Sequence, residues 1–324
     1  MIPMLDVVTL GEMLVQFNPI STGPLRHVTY FEKHAAGSEA NFAIGMVRLG
    51  FKAGFITRVG NDEFGRYILS VLRSEGVDVS KVKVDDEAPT GIYFIQRGYP
   101  VPGRSIVFYY RRGSAASRLS PDDIEEDYIK SSRLLHLTGI TPALSESCRK
   151  AVLKALRIAV ENDVIVSFDT NIRLKLWPCE EKARETLLPI MRETDILLTE
   201  PEDAEILIGE SEPNKIIEKM LSMGPKIVAV KLGEEGAIAS NGKETIMKPG
   251  FKVPVVDVIG AGDAFAAGFI ASILEGRSLE DALAFGNAAG ALVVTVRGDI
   301  ENLPTKDDIE RFLAFQRREK ITFR

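Results

Sequence analysis

Cysteine is almost absent from these 324 residues: Cys148 and Cys179 are the two, which gives no disulfide framework and no metal-ligand spacing. Two reduced thiols in a reducing compartment are the expectation. The three histidines, His27, His34 and His136, are scattered, no H-E-x-x-H occurs, and a triad hydrolase finds little support. A basic excess is missing too. Lys and Arg total 40 against 46 Asp and Glu, a net charge of −6, which argues against a nucleic-acid partner. The start, MIPMLDVVTLGEM, has no basic segment leading into a long apolar one, so no signal peptide is expected. No uncharged run approaches the roughly 20 residues of a membrane span. No membrane partner and a cytoplasmic location are the expectations. There is no G-x-x-x-x-G-K-[ST], and G-x-G-x-x-G is incomplete: Gly260 and Gly262 are present, but Phe265 replaces the third glycine.

What is present is a chain 45% hydrophobic and 27% charged, enough for one large α/β domain or two smaller ones. Short apolar runs alternate with amphipathic helical segments. LDVVTLGE reads as a first strand; SEANFAIGMVRLG reads as a helix with Ser38 as N-cap and Gly50 past its end. AGFITRVG, RLLHLTG, DVIVSFDTN, DILLTE and KIVAVKLG are further strand-like runs, each next to a helical one. This rhythm predicts a mostly parallel sheet with helices on both faces, whose ligands lie beyond the carboxyl ends of the strands. The last helical runs, 279–297 and 306–316, are expected to cover the sheet.

Two segments break the rhythm, about 11–36 and about 88–113. The second reads as a β-hairpin of aromatic-rich strands around a Pro- and Gly-containing turn. Both read as a small β-element at the sheet's edge, a candidate lid. The lid region holds Arg97, Arg104, Arg111, Arg112 and Arg118 among Tyr93, Tyr99, Tyr109 and Tyr110. Arginines fit a carboxylate substrate, whose two oxygens match a guanidinium fork. They equally fit a solvated edge that discourages strand pairing.

The stretch DVIGAGDAFAAGFIASIL (257–274) joins a Gly-rich turn to a helix apolar all round, which is the mark of burial. Asp263 falls in its first turn, where unpaired N–H groups and the helix dipole make an anion site. AAGSEANFAIG places Gly37 and Asn41 around another helix start, and FDTNIRLKLW ends a strand at Asp169 with Asn171 and Arg173 just beyond. KLGEEG alone reads as a plain turn.

Together these motifs resemble the PfkB, or ribokinase-like, family of carbohydrate kinases over essentially the whole chain. AGSEANFA is similar to the family's N-terminal glycine–asparagine signature, and DVIGAGDAF matches D-x-x-G-A-G-D-x-F at every fixed position. The resemblance implies one ribokinase-like kinase domain over 1–324: a three-layer α/β sandwich with a mostly parallel central sheet and a small β-sheet lid. It implies ATP with Mg²⁺, Asp263 as catalytic base, and an anion hole from Gly260, Ala261 and Gly262. Asn171, Arg173, Lys231, Gly233, Gly236 and Asn287 would then meet the nucleotide. Where family members often carry N-x-x-E, this chain reads TEPEDAE, so Glu200 and Asp203 stand in for the metal site, through water.

GIYFIQRGYP, YYRRGSAASRLSP, HLTGI and FDTNIRLKLW look like the 2-keto-3-deoxygluconate kinases of that family, archaeal ones especially. That likeness implies phosphorylation of the sugar acid's 6-hydroxyl. It implies substrate contacts from Gly37, Asn41, Tyr93, Tyr109, Tyr110, Arg111, Arg173 and Asp263, with Asp299 at the substrate's far end. A fructokinase-like kinase and a non-catalytic sugar-acid-binding protein are the alternatives. A homo-oligomer formed through the lid, a dimer or higher, is expected.

Overall fold

Leu5–Leu10 (LDVVTL) is buried along nearly its whole length, as a strand must be when helices cover both faces of a parallel sheet. The computed structural model describes residues 5–101 and 105–317. In chain order the strands are β1 (Leu5–Leu10), β2 (Leu14–Pro19), β3 (Phe31–Ala36), β4 (Ala53–Gly60), β5 (Val82–Asp85), β6 (Ile92–Arg97), β7 (Ser105–Tyr110), β8 (Ser132–Thr138), β9 (Ile165–Asp169), β10 (Ile196–Thr199), β11 (Ile227–Lys231), β12 (Ala237–Ser240) and β13 (Thr245–Lys248). The helices are α1 (Ser38–Arg48), α2 (Glu63–Ser74), α3 (Glu126–Lys130), α4 (Thr141–Leu144), α5 (Glu146–Glu161), α6 (Glu180–Arg192), α7 (Pro201–Ile208), α8 (Pro213–Leu221), α9 (Ala261–Leu274), α10 (Leu279–Val293) and α11 (Lys306–Gln316).

Nine strands form the main sheet in the order β13-β12-β11-β10-β9-β8-β1-β4-β5. All its pairs are parallel except β11–β12 and β12–β13. One face packs on α1, α2, α9, α10 and α11, through residues such as Phe42, Ile68, Phe269, Phe285 and Ile309. The other packs on α3, α5, α6, α7 and α8, through Ile129, Val152, Ile190, Leu207 and Ile216. This is the expected three-layer sandwich.

The parallel register brings Leu10, Thr138, Asp169, Thr199 and Lys231 to one edge, because each closes its strand at the same end. α9 starts above that edge. Its residues 264–272 are all buried, as its uniform apolarity predicts. Small residues let its neighbours come close: a Cβ on Gly45 of α1 would lie 2.8 Å from the Ala267 Cβ.

A second sheet has the order β3-β2-β6-β7, built from the two segments that break the sequence rhythm. β6 and β7 form the expected hairpin, with Tyr93 opposite Tyr109. Leu14, Ala36, Tyr93 and Ile95 pack beneath it against Val107 and Ile259. Arg104, one of the arginines counted above, lies outside the described residues.

Two helix ends differ from expectation. Ser38 is the first residue of α1 and Gly37 is its cap, because the Ser38 hydroxyl is drawn to another partner. α10 stops at Val293 rather than 297. The Val294 carbonyl instead accepts the N–H groups of Val256 and Asp257, which turns the chain back toward the sheet edge.

Candidate active site

A cleft of about 780 Å³ opens between the carboxyl edge of the main sheet and the underside of the second sheet. Its floor is the start of α9. Gly260 caps that helix in the left-handed region, at φ 81°. A Cβ there would stand 2.6 Å from Asp299 Oδ1, so only glycine meets both demands. Gly260, Ala261, Gly262 and Asp263 all line the cleft. First-turn amides have no acceptor within their own helix; that of Ala261 makes only a long bond, 3.4 Å, to the Val258 carbonyl.

Asp263 is held from two sides. Ser38 Oγ donates to its Oδ1 at 2.6 Å and Asn41 Nδ2 to its Oδ2 at 2.7 Å. Asn41 Nδ2 also donates to Asp299 Oδ1 at 2.8 Å. Asn171 Nδ2, on the loop after β9, donates to Ser38 Oγ at 2.9 Å. Residues 41, 171, 263 and 299, far apart in the chain, thus form one hydrogen-bonded cluster. Burial pushes the Asp299 carboxyl well above the usual carboxylate range; nearby Asp263, Glu301 and Asp257 add to this, and the Asn41 bond opposes it. The shift favours the neutral acid at Asp299, which relieves like-charge repulsion with Asp263.

A second cluster lies beside the Gly262 backbone. Lys231 Nζ bonds both oxygens of Asp169, at 2.9 and 2.8 Å, and stands 3.4 Å from Glu200 Oε1. Burial works to lower the Lys231 pKa, but Asp169, Glu200 and Asp203 outweigh it and hold the ammonium charged. Burial pushes Asp169 up to about 6, against the pull of Lys231, so the pair is ionised at neutral pH. This places a fixed positive charge next to the first turn of α9, where a developing anion is stabilised most.

The metal expectation is revised here. Asp203 is buried, and its Oδ2 accepts from Thr170 Oγ1 at 2.6 Å and Ile172 N at 3.0 Å, so it clamps the loop after β9. Glu200 remains half-exposed in the cleft. Among the described residues no group of three His, Cys, Asp or Glu side chains could hold a metal. One carboxylate facing the cleft, Glu200 beside Lys231, suits Mg²⁺, which usually keeps its waters and arrives on phosphate oxygens.

The roof is the second sheet. Tyr93 is buried, with its hydroxyl accepting from Gln16 Nε2 at 2.5 Å. Tyr109 lines the cleft with the Arg111 guanidinium 5.3 Å from its ring centre. Arg111 is itself buried and tied to Glu12, Nε at 2.7 Å and Nη2 at 2.5 Å from Glu12 Oε2. Ser114 Oγ donates to the other Glu12 oxygen. Gly37 passes close beneath, where a Cβ would come within 2.4 Å of the Glu12 carbonyl.

Several expected contacts fall elsewhere. Tyr110 is 66% exposed on the opposite face of β7, edge-on to Phe94, because successive residues of a strand point to opposite faces. Arg97 bonds Asn18 and Asp257, and Arg118 bonds Asp85 and Glu87, so neither is offered to the cleft. Arg112 is exposed and outside the cleft, which leaves Arg111 and the exposed Arg173 as its arginines among the described residues. Gly233 and Gly236 shape the β11–β12 turn in left-handed conformations and do not line the cleft. Asn287 is outside it as well, its Nδ2 donating to the Lys248 and Pro249 carbonyls.

Glu12, Ser38 and Glu39 are parts of the site that the sequence did not mark as such. Glu39 is buried at the cleft wall under Thr138 and Thr141, and burial raises its pKa. Asp169 was marked by its place at a strand's carboxyl end; for Ser38 the available signal was its place inside the glycine–asparagine motif.

The family described as pfkB family carbohydrate kinase matches residues 4–306. A 2-dehydro-3-deoxygluconokinase of Thermoproteus tenax is 48% identical over 311 residues, 96% of this chain and 94% of that one. Its counterpart in Bacillus subtilis (strain 168) is 41% identical over 320 residues, covering 97% of each. Among solved structures, a putative ribokinase II from E. coli in complex with ATP and Mg²⁺ superposes with a TM-score of 0.89 at 31% identity, over 97% of this chain and 99% of that one. A 2-dehydro-3-deoxygluconokinase from Thermotoga maritima gives 0.89 at 28% identity, over 96% and 99%.

Proposed function

The chain belongs to the pfkB family of carbohydrate kinases, and from that premise we propose that it transfers the γ-phosphoryl group of ATP to the 6-hydroxyl of 2-keto-3-deoxygluconate. That sugar acid is the 2-dehydro-3-deoxygluconate of the relatives' names. The product is 2-keto-3-deoxy-6-phosphogluconate. The observation that carries the reading is Asp263 held between Ser38 and Asn41 at the glycine-rich start of α9, in one cleft with Arg111.

Asp263 takes the proton of the 6-hydroxyl as its oxygen attacks the γ-phosphorus. The bond from that phosphorus to the bridging oxygen breaks, and ADP leaves. Charge on the transferring group meets the first-turn amides of α9, the helix dipole and Lys231. Glu200 would hold waters of a phosphate-bound Mg²⁺, whose charge would neutralise the phosphate oxygens. Asn171 and Arg173, on one loop, serve the phosphate side. Asn41 and Asp299, bonded to one another beside Asp263, serve the reacting end of the sugar acid and not its far end.

Arg111 meets the carboxylate with the donors that Glu12 leaves free, so it acts as a fixed arm rather than an open fork. Tyr93 and Tyr109 form the apolar wall beside it. We take the whole chain as one kinase domain, with segments 11–36 and 88–113 as a lid over the sugar. The lid's outer face exposes Ile20, Tyr30, Phe108 and Tyr110, and a second copy's lid covers it in a homodimer. Among the described residues no helix is long and apolar enough to cross a membrane. Use of ATP fits a cytoplasmic enzyme.

Asp263→Asn tests the reading. It keeps the size and loses the base, so kcat falls at least about 100-fold, the scale of general-base loss, while ATP binding by calorimetry is retained. Turnover near the wild-type rate in the folded variant removes Asp263 from the chemistry.

A further inference from the structure

The lid strand β3 reaches the Asp263 cluster through one side chain. His34, on β3, sets its Nδ1 2.6 Å from Glu301 Oε1. The other oxygen of Glu301 accepts the backbone N–H of Asp299 at 2.8 Å. Asp299 Oδ1 accepts from Asn41, which also holds Asp263. The path from lid to base is therefore His34, Glu301, Asp299, Asn41, Asp263, with every link a hydrogen bond or one residue's own backbone.

The local backbone is shaped for this link. Gly298 has φ 124°, and a Cβ there would fall 2.2 Å from Glu301 Oε2. Any other residue would push Glu301 off the Asp299 amide. The surroundings favour the charged form of both partners. The Glu301 hydrogen bond raises the His34 pKa, against burial, with Glu32 adding. Burial opposes ionisation of Glu301, but the bonds from His34 and Asp299 N–H hold its pKa down. The charged or titratable groups facing the pair are Glu32, Lys33, Tyr67 and Arg297; Arg297 stands 3.6 Å from Glu32, and Lys33 lies over the Tyr67 ring.

We infer that Glu301 is a positioning residue that ties the seating of lid strand β3, through His34, to the placement of Asp299 and Asp263. The inference rests on the kinase reading for the roles of Asp263 and Asp299. Closing the lid on the sugar and fixing the base then become one event. Glu301 touches neither substrate and acts only through its two neighbours.

The test uses the full-length enzyme and four variants: His34→Ala, Glu301→Ala, Glu301→Gln and the double alanine variant. Glu301→Ala lowers kcat about 10-fold and raises KM for the sugar acid, since small misplacements of reacting groups cost rates of this order. KM for ATP stays within about twofold, because the link does not reach the nucleotide side. Glu301→Gln keeps an acceptor for Asp299 N–H and restores kcat to within about threefold of wild type. The double variant is no slower than Glu301→Ala, since two residues in one chain of contacts do not add. A second measurement needs no substrate: amide hydrogen exchange of residues 31–36 quickens in both Glu301→Ala and His34→Ala.

Wild-type kcat in folded Glu301→Ala, additive losses in the double variant, or unchanged exchange in β3 each overturn the inference. A wild-type enzyme that phosphorylates a different sugar overturns the substrate reading alone. The same comparisons, run with that sugar, and the exchange measurement still decide the role of Glu301.

Discussion

Gly262 separates two meanings of a glycine-rich turn. A Cβ there would meet only Lys231 Nζ at 3.4 Å and Glu200 Oε1 at 3.8 Å, which is ordinary contact. Within a helix, alanine is favoured over glycine by roughly 0.5–1 kcal/mol. Gly262→Ala should therefore melt at the wild-type temperature or above it. Its methyl group nevertheless occupies the space over the first-turn amides, and kcat should fall about 10-fold or more as the phosphoryl group loses those donors. Unchanged kcat would make the turn structural. Gly260→Ala should behave in the opposite way: a left-handed alanine costs roughly 1–2 kcal/mol, and the clash with Asp299 adds to that, so its thermal stability drops.

Arg111 needs a gentler substitution than alanine. Alanine would leave Glu12 buried and unpaired, and breaking one side of a buried ion pair costs about 3–5 kcal/mol. Arg111→Lys keeps a charge for Glu12 and gives up the donors facing the sugar. KM for 2-keto-3-deoxygluconate should rise about 10-fold, the worth of a charged hydrogen bond, with KM for ATP unchanged in steady-state assays. An unchanged sugar-acid KM would return Arg111 to a purely structural role. Asp263, Asn41 and Gly37 were legible in the sequence, because short fixed spacings carry them. The Glu12–Arg111 pair was not, since it joins residues 99 positions apart that no periodicity links. For the same reason the sequence left open whether Arg97 and Arg118 face a substrate or solvent, whereas Asp257, Asp85 and Glu87 hold them.

At the level of elements, α9 is the rigid part. Its apolarity predicted burial, and burial fixes where Asp263 can stand. Contact with α1 is set by Gly45, whose side has room for no more than hydrogen, and α1 also carries Ser38 and Asn41. Gly45→Val should force the helices apart, at a cost of about 1–3 kcal/mol typical of overpacking. Urea unfolding checks the stability, and kcat should fall with it as Asn41 shifts from Asp263. The ends of elements were less legible than their existence. α10 runs into the β-branched stretch Val293–Val296, which favours helix weakly, and the Val294 carbonyl is taken by the chain at Val256 and Asp257. That competition is tertiary, and it is what carries Asp299 into the site.

For the whole molecule, the parallel sheet and its site-bearing edge followed from alternating strands and helices. The small β-element formed by segments 11–36 and 88–113 followed from their break in that rhythm, but the parallel pairing of β2 with β6 did not, because it spans a long gap in sequence. The alternation within β7 decides which aromatics serve which face: Tyr109 turns to the cleft and Tyr110 to the outside. If the outer face is a dimer contact, Phe108→Asp should shift sedimentation from dimer to monomer. A wild-type protein that sediments as a monomer throughout the micromolar range would contradict the lid interface.

The central claim is that this cleft phosphorylates a sugar acid on its 6-hydroxyl. The most direct measurement gives the purified enzyme, with ATP and Mg²⁺, a panel of 2-keto-3-deoxygluconate, its C4 epimer, 5-dehydro-2-deoxygluconate, fructose and ribose, and then identifies the phosphorylated carbon. The account predicts the highest kcat/KM for a 2-keto-3-deoxy sugar acid and a product phosphorylated at carbon 6. A preference for fructose or ribose, or phosphorylation at another carbon, would contradict it.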